Sequence, residues 1–297
     1  QKVIGIDNFS TGRITNLQSV KKNVGPKKWK NFKFFEGDLS NLNTCHKIIK
    51  NVDIVIHQAA RGSIPKSTKD PISTNKDNIT SFLNILTVSK DENVKSFVYA
   101  SSSSVYGDSK KLPKTESNVG NVLSNYALTK KTNEEYARLF FDLYNFKTIG
   151  LRYFNVFGLR QNPNGDYAAV IPKWINNVKK NKNIIIFGDG ETSRDFCPIA
   201  NVVQANILAG IKSLQKKNYI FNVGTGSRIS LNKLSKTIYK IFEIDPSKHK
   251  IIFKNFRQGD IRHSLSNINH IKKVLGYKPN VSFYDGIKQT IDWFKLN

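Results

Sequence analysis

Tyr126 and Lys130 stand four residues apart in a stretch, Ala127 to Tyr144, that carries helical spacing, so their side chains share one face. An ammonium beside a phenol favours the phenolate, because an opposite charge stabilises the ionised form and lowers a pKa that starts at about 10. Tyr126 so placed is a usable base near neutral pH. A second ingredient is the run Ser101-Ser102-Ser103-Ser104-Val105-Tyr106-Gly107, directly after an apolar segment. A hydroxyl at the end of a strand, where open α/β sheets bind ligands, can share the proton with the phenol, and Ser102 is the candidate. A Tyr-x-x-x-Lys pair alone recurs by chance on helix surfaces; joined to the serine run and a parallel-sheet pattern it points to proton transfer.

These residues need a scaffold. Val3 to Ile6, Phe32 to Phe35, Ile54 to Ile56, Phe97 to Ala100 and Thr148 to Leu151 read as buried strands, and Leu42 to Lys50 and Ile79 to Lys90 join Ala127 to Tyr144 as helices between them. The alternation predicts an α/β fold: a doubly wound parallel Rossmann sheet with a smaller mixed C-terminal substrate lobe. After Gly158 the pattern loosens, with short strands around Ile184 to Phe187 and Tyr219 to Val223. The expected division is a dinucleotide-binding domain over 1–165 and a substrate lobe over 166–297, some of whose segments return to the main sheet. Asp7, at the end of the first strand and followed by Asn8-Phe9-Ser10-Thr11-Gly12, stands where such a fold grips the adenosine ribose hydroxyls. The Gly-rich phosphate turn lies about 20 residues before that acid in such folds. Here Asp7 is the seventh residue and the chain holds no Met, so the first strand, the Gly-rich turn and the first helix are expected to precede Gln1.

Composition excludes other classes. At 297 residues with 39% apolar content the chain can bury a sizeable core, and no apolar run reaches the roughly 18 to 20 residues of a membrane span. Two cysteines, Cys45 and Cys197, lie far apart without metal-ligand spacing, and no metal is expected. With no secretory signal pattern, the expectation is a soluble cytoplasmic protein with reduced thiols. The net charge of +25 would suit nucleic acid, but the lysines come in scattered pairs such as Lys110-Lys111 and Lys216-Lys217, with no basic helix or aromatic platform, so neither nucleic acid nor membrane is expected as a partner.

The chain resembles the extended short-chain dehydrogenase/reductase family, in its NAD-dependent epimerase/dehydratase branch, and within that the UDP-N-acetylglucosamine 4-epimerases. The resemblance covers essentially the whole chain. It rests on Asp7-Asn8, Gly37-Asp38-Leu39, His57-Gln58-Ala59-Ala60, the serine run, Tyr126 with Lys130, Leu151-Arg152-Tyr153-Phe154-Asn155-Val156-Phe157-Gly158, Gly188-Asp189-Gly190, Arg194-Asp195-Phe196 and Arg257-Gln258-Gly259-Asp260. It implies NAD as cofactor, with Asp7 and Asn8 on the adenosine ribose, Ser10, Thr11 and Gly12 around it, Asp38 and Leu39 at the adenine, and Gln58, Ala59 and Ala60 running toward the nicotinamide near Asn78, Lys130 and Tyr153. It places Ser102, Ser103, Asn155, Val170, Lys173, Arg194, Arg257 and Asp260 along a UDP-sugar pocket. The two arginines suit a diphosphate, since guanidinium pairs with phosphate oxygens in a bidentate way. Arg152 and Tyr106 are expected to brace and pack.

The resemblance also implies a reaction: Tyr126 takes the proton of the sugar 4-hydroxyl while hydride leaves carbon 4, the 4-keto sugar turns its other face, and hydride returns with inverted configuration. Ser264, small and four positions after Asp260, and Gly62 with Ser63 match the enzymes for N-acetylhexosamines, which makes UDP-GlcNAc and UDP-GalNAc, with their uronic acids, the favoured substrates. The alternatives are UDP-glucose or UDP-glucuronate 4-epimerase, and an inactive sugar-nucleotide-binding remnant for the chain without its Gly-rich turn. A 4,6-dehydratase carries an Asp-Glu pair where this chain has Ser103-Ser104, which counts against dehydration. Cys197-Pro198-Ile199-Ala200 departs from the family pattern, which has an aromatic residue or His at 198 and an acid near 200. A homodimer is the family habit, with Ala127 to Tyr144 a candidate interface helix.

Overall fold

The computed structural model describes residues 1–164, 168–212, 214, 218–245, 250–256 and 261–296. In chain order the elements are β1 (Val3–Asp7), α1 (Ile14–Trp29), β2 (Phe32–Glu36), α2 (Leu42–Ile49), β3 (Ile54–His57), α3 (Ile64–Lys69), α4 (Pro71–Asn75), a π-helical turn (Lys76–Thr80) and α5 (Ser81–Asp91). There follow β4 (Ser96–Ser102), a 3-10 turn (Ser103–Tyr106), α6 (Asn125–Tyr144), β5 (Thr148–Tyr153), β6 (Val156–Phe157), α7 (Val170–Lys179), β7 (Ile184–Phe187), β8 (Ser193–Arg194) and β9 (Cys197–Pro198). The chain ends with α8 (Ile199–Ile211), β10 (Tyr219–Val223), β11 (Ile229–Ser230), α9 (Leu231–Phe242), β12 (Ile251–Lys254), α10 (Asn269–Leu275) and α11 (Phe283–Leu296).

Two compact units divide the chain. The first comprises 1–99, 124–148 and 213–218; the second comprises 100–123, 149–212 and 219–297. The sequence-based boundary between 165 and 166 lies outside the described residues. In the first unit β1 pairs with β2 in parallel, Val3 opposite Phe32, and β3 pairs with β4 in parallel, Ile54 opposite Ser96. Right-handed βαβ connection demands a helix between such strands, and α1, α2 and α5 supply it. Their core gathers Cys45, Ile48 and Ile49 of α2, Phe82, Ile85 and Leu86 of α5, Phe97 and Tyr99 of β4 and Ala137 of α6. Helix α1 breaks at Gly25, whose φ of 73 needs no Cβ to avoid, and Pro26 restarts it.

One expectation is corrected here. The strands β1 and β3 are not buried: Val3 is 50%, Ile4 43%, Ile54 37% and Ile56 44% exposed. Side chains alternate between faces along a strand, so Ile54 and Ile56 mark one open face of β3, while consecutive Val3 and Ile4 leave both faces of β1 partly open.

In the second unit the end of β4, β5 and β10 lie side by side in that order, with β5 and β10 parallel and Leu151 opposite Phe221. Its core packs Ile171, Trp174 and Ile175 of α7, Ile184 and Ile186 of β7, Leu234 and Ile238 of α9 and Ile287 and Ile291 of α11 around Phe157 and Phe196. Spacings of three and four along α7, α9 and α11 turn one stripe of each helix to this core. Pro198 stands immediately before α8, where a helix start has no use for the amide that proline lacks, and Ala200 is exposed on the first turn. Those two departures are thereby accommodated. Among the described residues no helix is long and apolar enough to cross a membrane, and no group of His, Cys, Asp and Glu could hold a metal ion.

Candidate active site

The first unit carries two acids at consecutive strand ends. Asp7 closes β1, and its Oδ1 accepts the Phe9 amide at 2.7 Å while Asn8 Oδ1 accepts the Ser10 amide at 3.0 Å, so the chain turns sharply out of the strand. A Cβ on Gly12 would lie 3.0 Å from Asp7 Oδ2, so the turn passes close against that carboxylate. Asp38 follows β2 and accepts the Ser40 amide at 2.8 Å. Burial pushes its pKa up, but the Ser40 amide and hydroxyl, the Asn8 side chain and Lys76 outweigh it and hold the carboxyl below its ordinary value. Leu39, beside it, enters the core. Ionised acceptors on neighbouring strand ends suit the hydroxyls of a ribose and the amine of an adenine, so these residues fit the adenosine half of NAD.

Gln58 and Ala59 are exposed past the end of β3, with Ala60 half-buried. The loop that continues them is pinned by Asn78, wholly buried in the π-helical turn: its Oδ1 accepts the Arg61 amide at 2.6 Å, and its Nδ2 donates to the Arg61 carbonyl at 3.2 Å and to Thr129 Oγ1 of α6 at 3.0 Å. Arg61 is held further by Asp77 at 2.8 Å. Ser63 adopts φ 102, a conformation few side chains tolerate, and caps α3 through its hydroxyl; a Cβ on Gly62 would meet nothing.

Helix α6 opens on Ser124, whose Oγ accepts the Ala127 amide at 3.1 Å. The Tyr126 amide donates to Ser67 Oγ of α3 at 3.0 Å, and the Asn125 side chain donates to the Ser67 carbonyl at 3.0 Å, so the base sits on a helix start fixed from outside. One turn on, Lys130 is 2% exposed, with its Nζ 6.0 Å from the centre of the Tyr126 ring. Burial draws its pKa down to about 8. His57, also buried, is drawn to about 3 by burial and then by the Lys130 charge, so it is neutral. Tyr126 and Lys130 are thus brought together as the spacing requires.

In the second unit Ser102 ends β4 and caps the following turn. Its Oγ accepts from the Ser104 amide at 3.1 Å and from the Ser104 hydroxyl at 2.9 Å, which leaves its own O–H to donate. Ser103 is half-buried beside it. Tyr106 and Arg152 brace the strands: the Tyr106 hydroxyl donates to Asn222 at 2.6 Å, and Arg152 donates to that hydroxyl at 3.1 Å with its guanidinium 4.9 Å from the ring centre. The Tyr153 hydroxyl is engaged with Asn206 of α8, and its backbone lies in the ladder opposite Val223. Asn155, at φ 32, accepts the Cys197 amide and donates to the Asp195 carbonyl at 3.3 Å. Val170 starts α7, and Lys173 is half-buried one turn along. Arg194, on β8, donates to the Ser193 carbonyl at 3.0 Å, and the Ser264 amide donates to the same carbonyl at 3.0 Å. Arg257 and Asp260 lie outside the described residues.

Sequence reasoning passed over Asp195. It is fully buried, and its carboxylate accepts from the Thr225 amide at 2.8 Å and hydroxyl at 2.7 Å, from the Gly226 amide at 3.1 Å, and from the amide and hydroxyl of Ser266. A Cβ on Gly224 would come within 2.7 Å of Asp195 Oδ2. Gly224-Thr225-Gly226 is a tight turn whose Thr225 and Gly226 amides point at one anion, and the Gly-Thr-Gly sequence was the available signal.

The pattern of the NAD dependent epimerase/dehydratase family matches residues 1–224. The chain belongs to that family. It is similar to the UDP-N-acetylglucosamine 4-epimerase of Methanobrevibacter ruminantium, solved in complex with UDP-N-acetylmuramic acid, at 34% identity and a TM-score of 0.91 over 99% of this chain and 91% of that one. It is also similar to the UDP-glucose 4-epimerase of Thermotoga maritima, solved with UDP-glucose, at 32% identity and a TM-score of 0.89 over 99% and 91%. A UDP-glucuronate 4-epimerase of Thermodesulfobacterium geofontis shares 34% identity across 99% of this chain and 89% of its own. The Rossmann-type α/β fold read from the alternation of strands and helices is the fold of this family, and the chain is an NAD-dependent epimerase.

Proposed function

We propose that the protein interconverts the 4-epimers UDP-N-acetylglucosamine and UDP-N-acetylgalactosamine, with their uronic acids as related substrates. The choice of sugar rests on Ser264, whose amide is held on the Ser193 carbonyl beside Arg194: a small residue at this position matches the enzymes for N-acetylhexosamines that the chain resembles. When bound, NAD+ supplies the hydride acceptor and donor for carbon 4. Tyr126, held as the phenolate by the Lys130 charge, takes the proton of the 4-hydroxyl and becomes the phenol, while Ser102 donates its O–H to the 4-oxygen. Asp7 and Asp38 bind the adenosine half of the cofactor, and Arg194 the substrate diphosphate, so the sugar itself is held loosely enough to turn. Leu128, Leu139, Leu143 and Tyr144, exposed on α6, support a homodimer through that helix, and two buried thiols support a cytoplasmic setting.

The names of relatives keep UDP-glucose and UDP-glucuronate as the second reading, and one experiment separates them. Each UDP-sugar is incubated with the protein and NAD+, and the configuration at carbon 4 is followed by proton NMR. Formation of UDP-GalNAc from UDP-GlcNAc, with the rate lowered about 10³-fold or more in Tyr126→Phe, is the expected result. Conversion of UDP-glucose or UDP-glucuronate alone overturns the Ser264 argument, and a 4-keto-6-deoxy product overturns epimerisation.

A further inference from the structure

The segment around β8 and β11 gathers more positive charge than the sequence motifs assign to the substrate. Arg194, Arg228 and Arg262 all act on His263, and Asp189 is the carboxylate that opposes them there. Asp189 is committed to Arg262 through two bonds of 2.8 and 2.5 Å. Glu191, the other acid felt by Arg262, accepts from Asn232 at 2.6 Å.

His263 is built into this cluster. Its residue bridges Ser193 in parallel, the Ser193 amide donates to the Arg262 carbonyl at 3.0 Å, and the Ser264 amide donates back to the Ser193 carbonyl at 3.0 Å. The imidazole Nδ1 lies 2.8 Å from Ser193 Oγ. A serine hydroxyl both donates and accepts, so this contact holds the ring in place whether the imidazole is neutral or charged. Burial, and then Arg228, Arg262 and Arg194, press its proton affinity below that of an ordinary histidine. Arginine does not release its proton near neutral pH, so the histidine is the group in this cluster that answers a change in local charge.

We propose that His263 is a further substrate-binding residue, which takes up a proton when the diphosphate of a UDP-sugar seats among Arg194, Arg228 and Arg262. This rests on the UDP-sugar reading above. The bound dianion offsets the surplus positive charge of the three arginines over Asp189, which removes the repulsion at the ring, so its proton affinity is higher in the bound state than in the free one. By linkage the affinity for a UDP-sugar then rises as pH falls between the two proton affinities of His263, bound and free.

Titration calorimetry with UDP-glucose tests this, since both of its phosphates are esterified and carry no proton that titrates near neutral pH. Epimerisation is proton-neutral, so turnover does not disturb the count. Heats are measured in buffers of different ionisation enthalpy across a pH series. The wild-type protein is expected to take up as much as about one proton per site, with affinity falling by up to about tenfold per pH unit as the pH rises. His263→Gln is expected to bind UDP-glucose without uptake and with a flat pH dependence. Arg228→Gln, which removes a repelling charge but keeps the ring, is expected to move the same uptake to higher pH. Binding without proton uptake in the wild type overturns the proposal, as does uptake that persists in His263→Gln. Failure to bind UDP-glucose, UDP-GlcNAc or UDP-GalNAc at any pH instead removes the UDP-sugar reading, and this inference with it.

Discussion

Lys130 and the arginine cluster around Arg194 hold positive charge in opposite ways. Lys130 is 2% exposed on a packed helix, and loss of water brings its pKa down to about 8. Arg262 stands in solvent, its side chain 40% exposed, beside a carboxylate 51% exposed. A dry ammonium is adjustable, because desolvation acts directly on the balance between its charged and neutral forms. A wet guanidinium is fixed in charge and works as an electrostatic seat. The first suits tuning a base; the second suits gripping an anion that never changes protonation. The difference is testable, because the two sites respond to different perturbations.

The largest effect is expected at the dry site. Lys130→Met removes the charge that stabilises the Tyr126 phenolate, and the epimerisation rate should fall about 10²- to 10³-fold. The same change should make the protein more stable near neutral pH. In the folded protein Lys130 gives up its proton at about 8, against 10.5 for the free group, so between those values the unfolded chain binds more protons and wild-type stability rises with pH. At pH about 7 the difference is on the order of 2–3 kcal/mol in favour of the variant, shrinking as the pH approaches about 10.5. Urea unfolding of both proteins across that range checks it. A variant no more stable than wild type at neutral pH would mean that Lys130 is fully compensated where it sits.

Next comes Asp195, a fully buried acidic side chain in the second unit. Five donors from Thr225, Gly226 and Ser266 converge on it, and Asp195→Ala removes their common acceptor, leaving the amide and hydroxyl of buried Ser266 unpaired by it. A loss of about 3–5 kcal/mol in unfolding free energy is expected. Because Arg194 is its chain neighbour, KM for the UDP-sugar should rise more than kcat falls, and Asp195→Asn should recover part of the stability.

These sites were unequally legible in the sequence. Tyr126 with Lys130 was readable because helix geometry converts a spacing of four into a shared face, and the strands were readable because apolar runs alternate with helical stretches. What stayed hidden depends on long-range pairing. Nothing near Asn78 in the chain announces that its side chain reaches Arg61 and Thr129. The role of Asp195 needs Ser266, some seventy residues on, and the setting of His263 needs Ser193 from a different strand. The exposure of β1 and β3 was misread for a related reason: composition tells which residues favour burial, not which elements arrive to cover them. Tyr153, expected near the nicotinamide, has its hydroxyl engaged by Asn206, a partner no local pattern displays.

The smallest effect separates the two cation sites by salt. Charges in solvent are screened over about 10 Å at 0.1 M salt and about 3 Å at 1 M, whereas a buried group is screened much less. Raising the ionic strength from about 0.05 to about 0.5 M should weaken UDP-sugar binding by about three- to tenfold, because the arginine cluster attracts its anion through water. In His263→Gln, whose UDP-sugar binding is expected to be flat with pH, the alkaline limb of the kcat/KM profile reports titration in the free enzyme and is set by the desolvated Lys130. It should therefore stay near its low-salt position while the height of the profile falls. If salt instead moves the limb by as much as it lowers affinity, then Lys130 is in electrical contact with solvent, and the contrast between a dry, adjustable charge and a wet, fixed one does not hold.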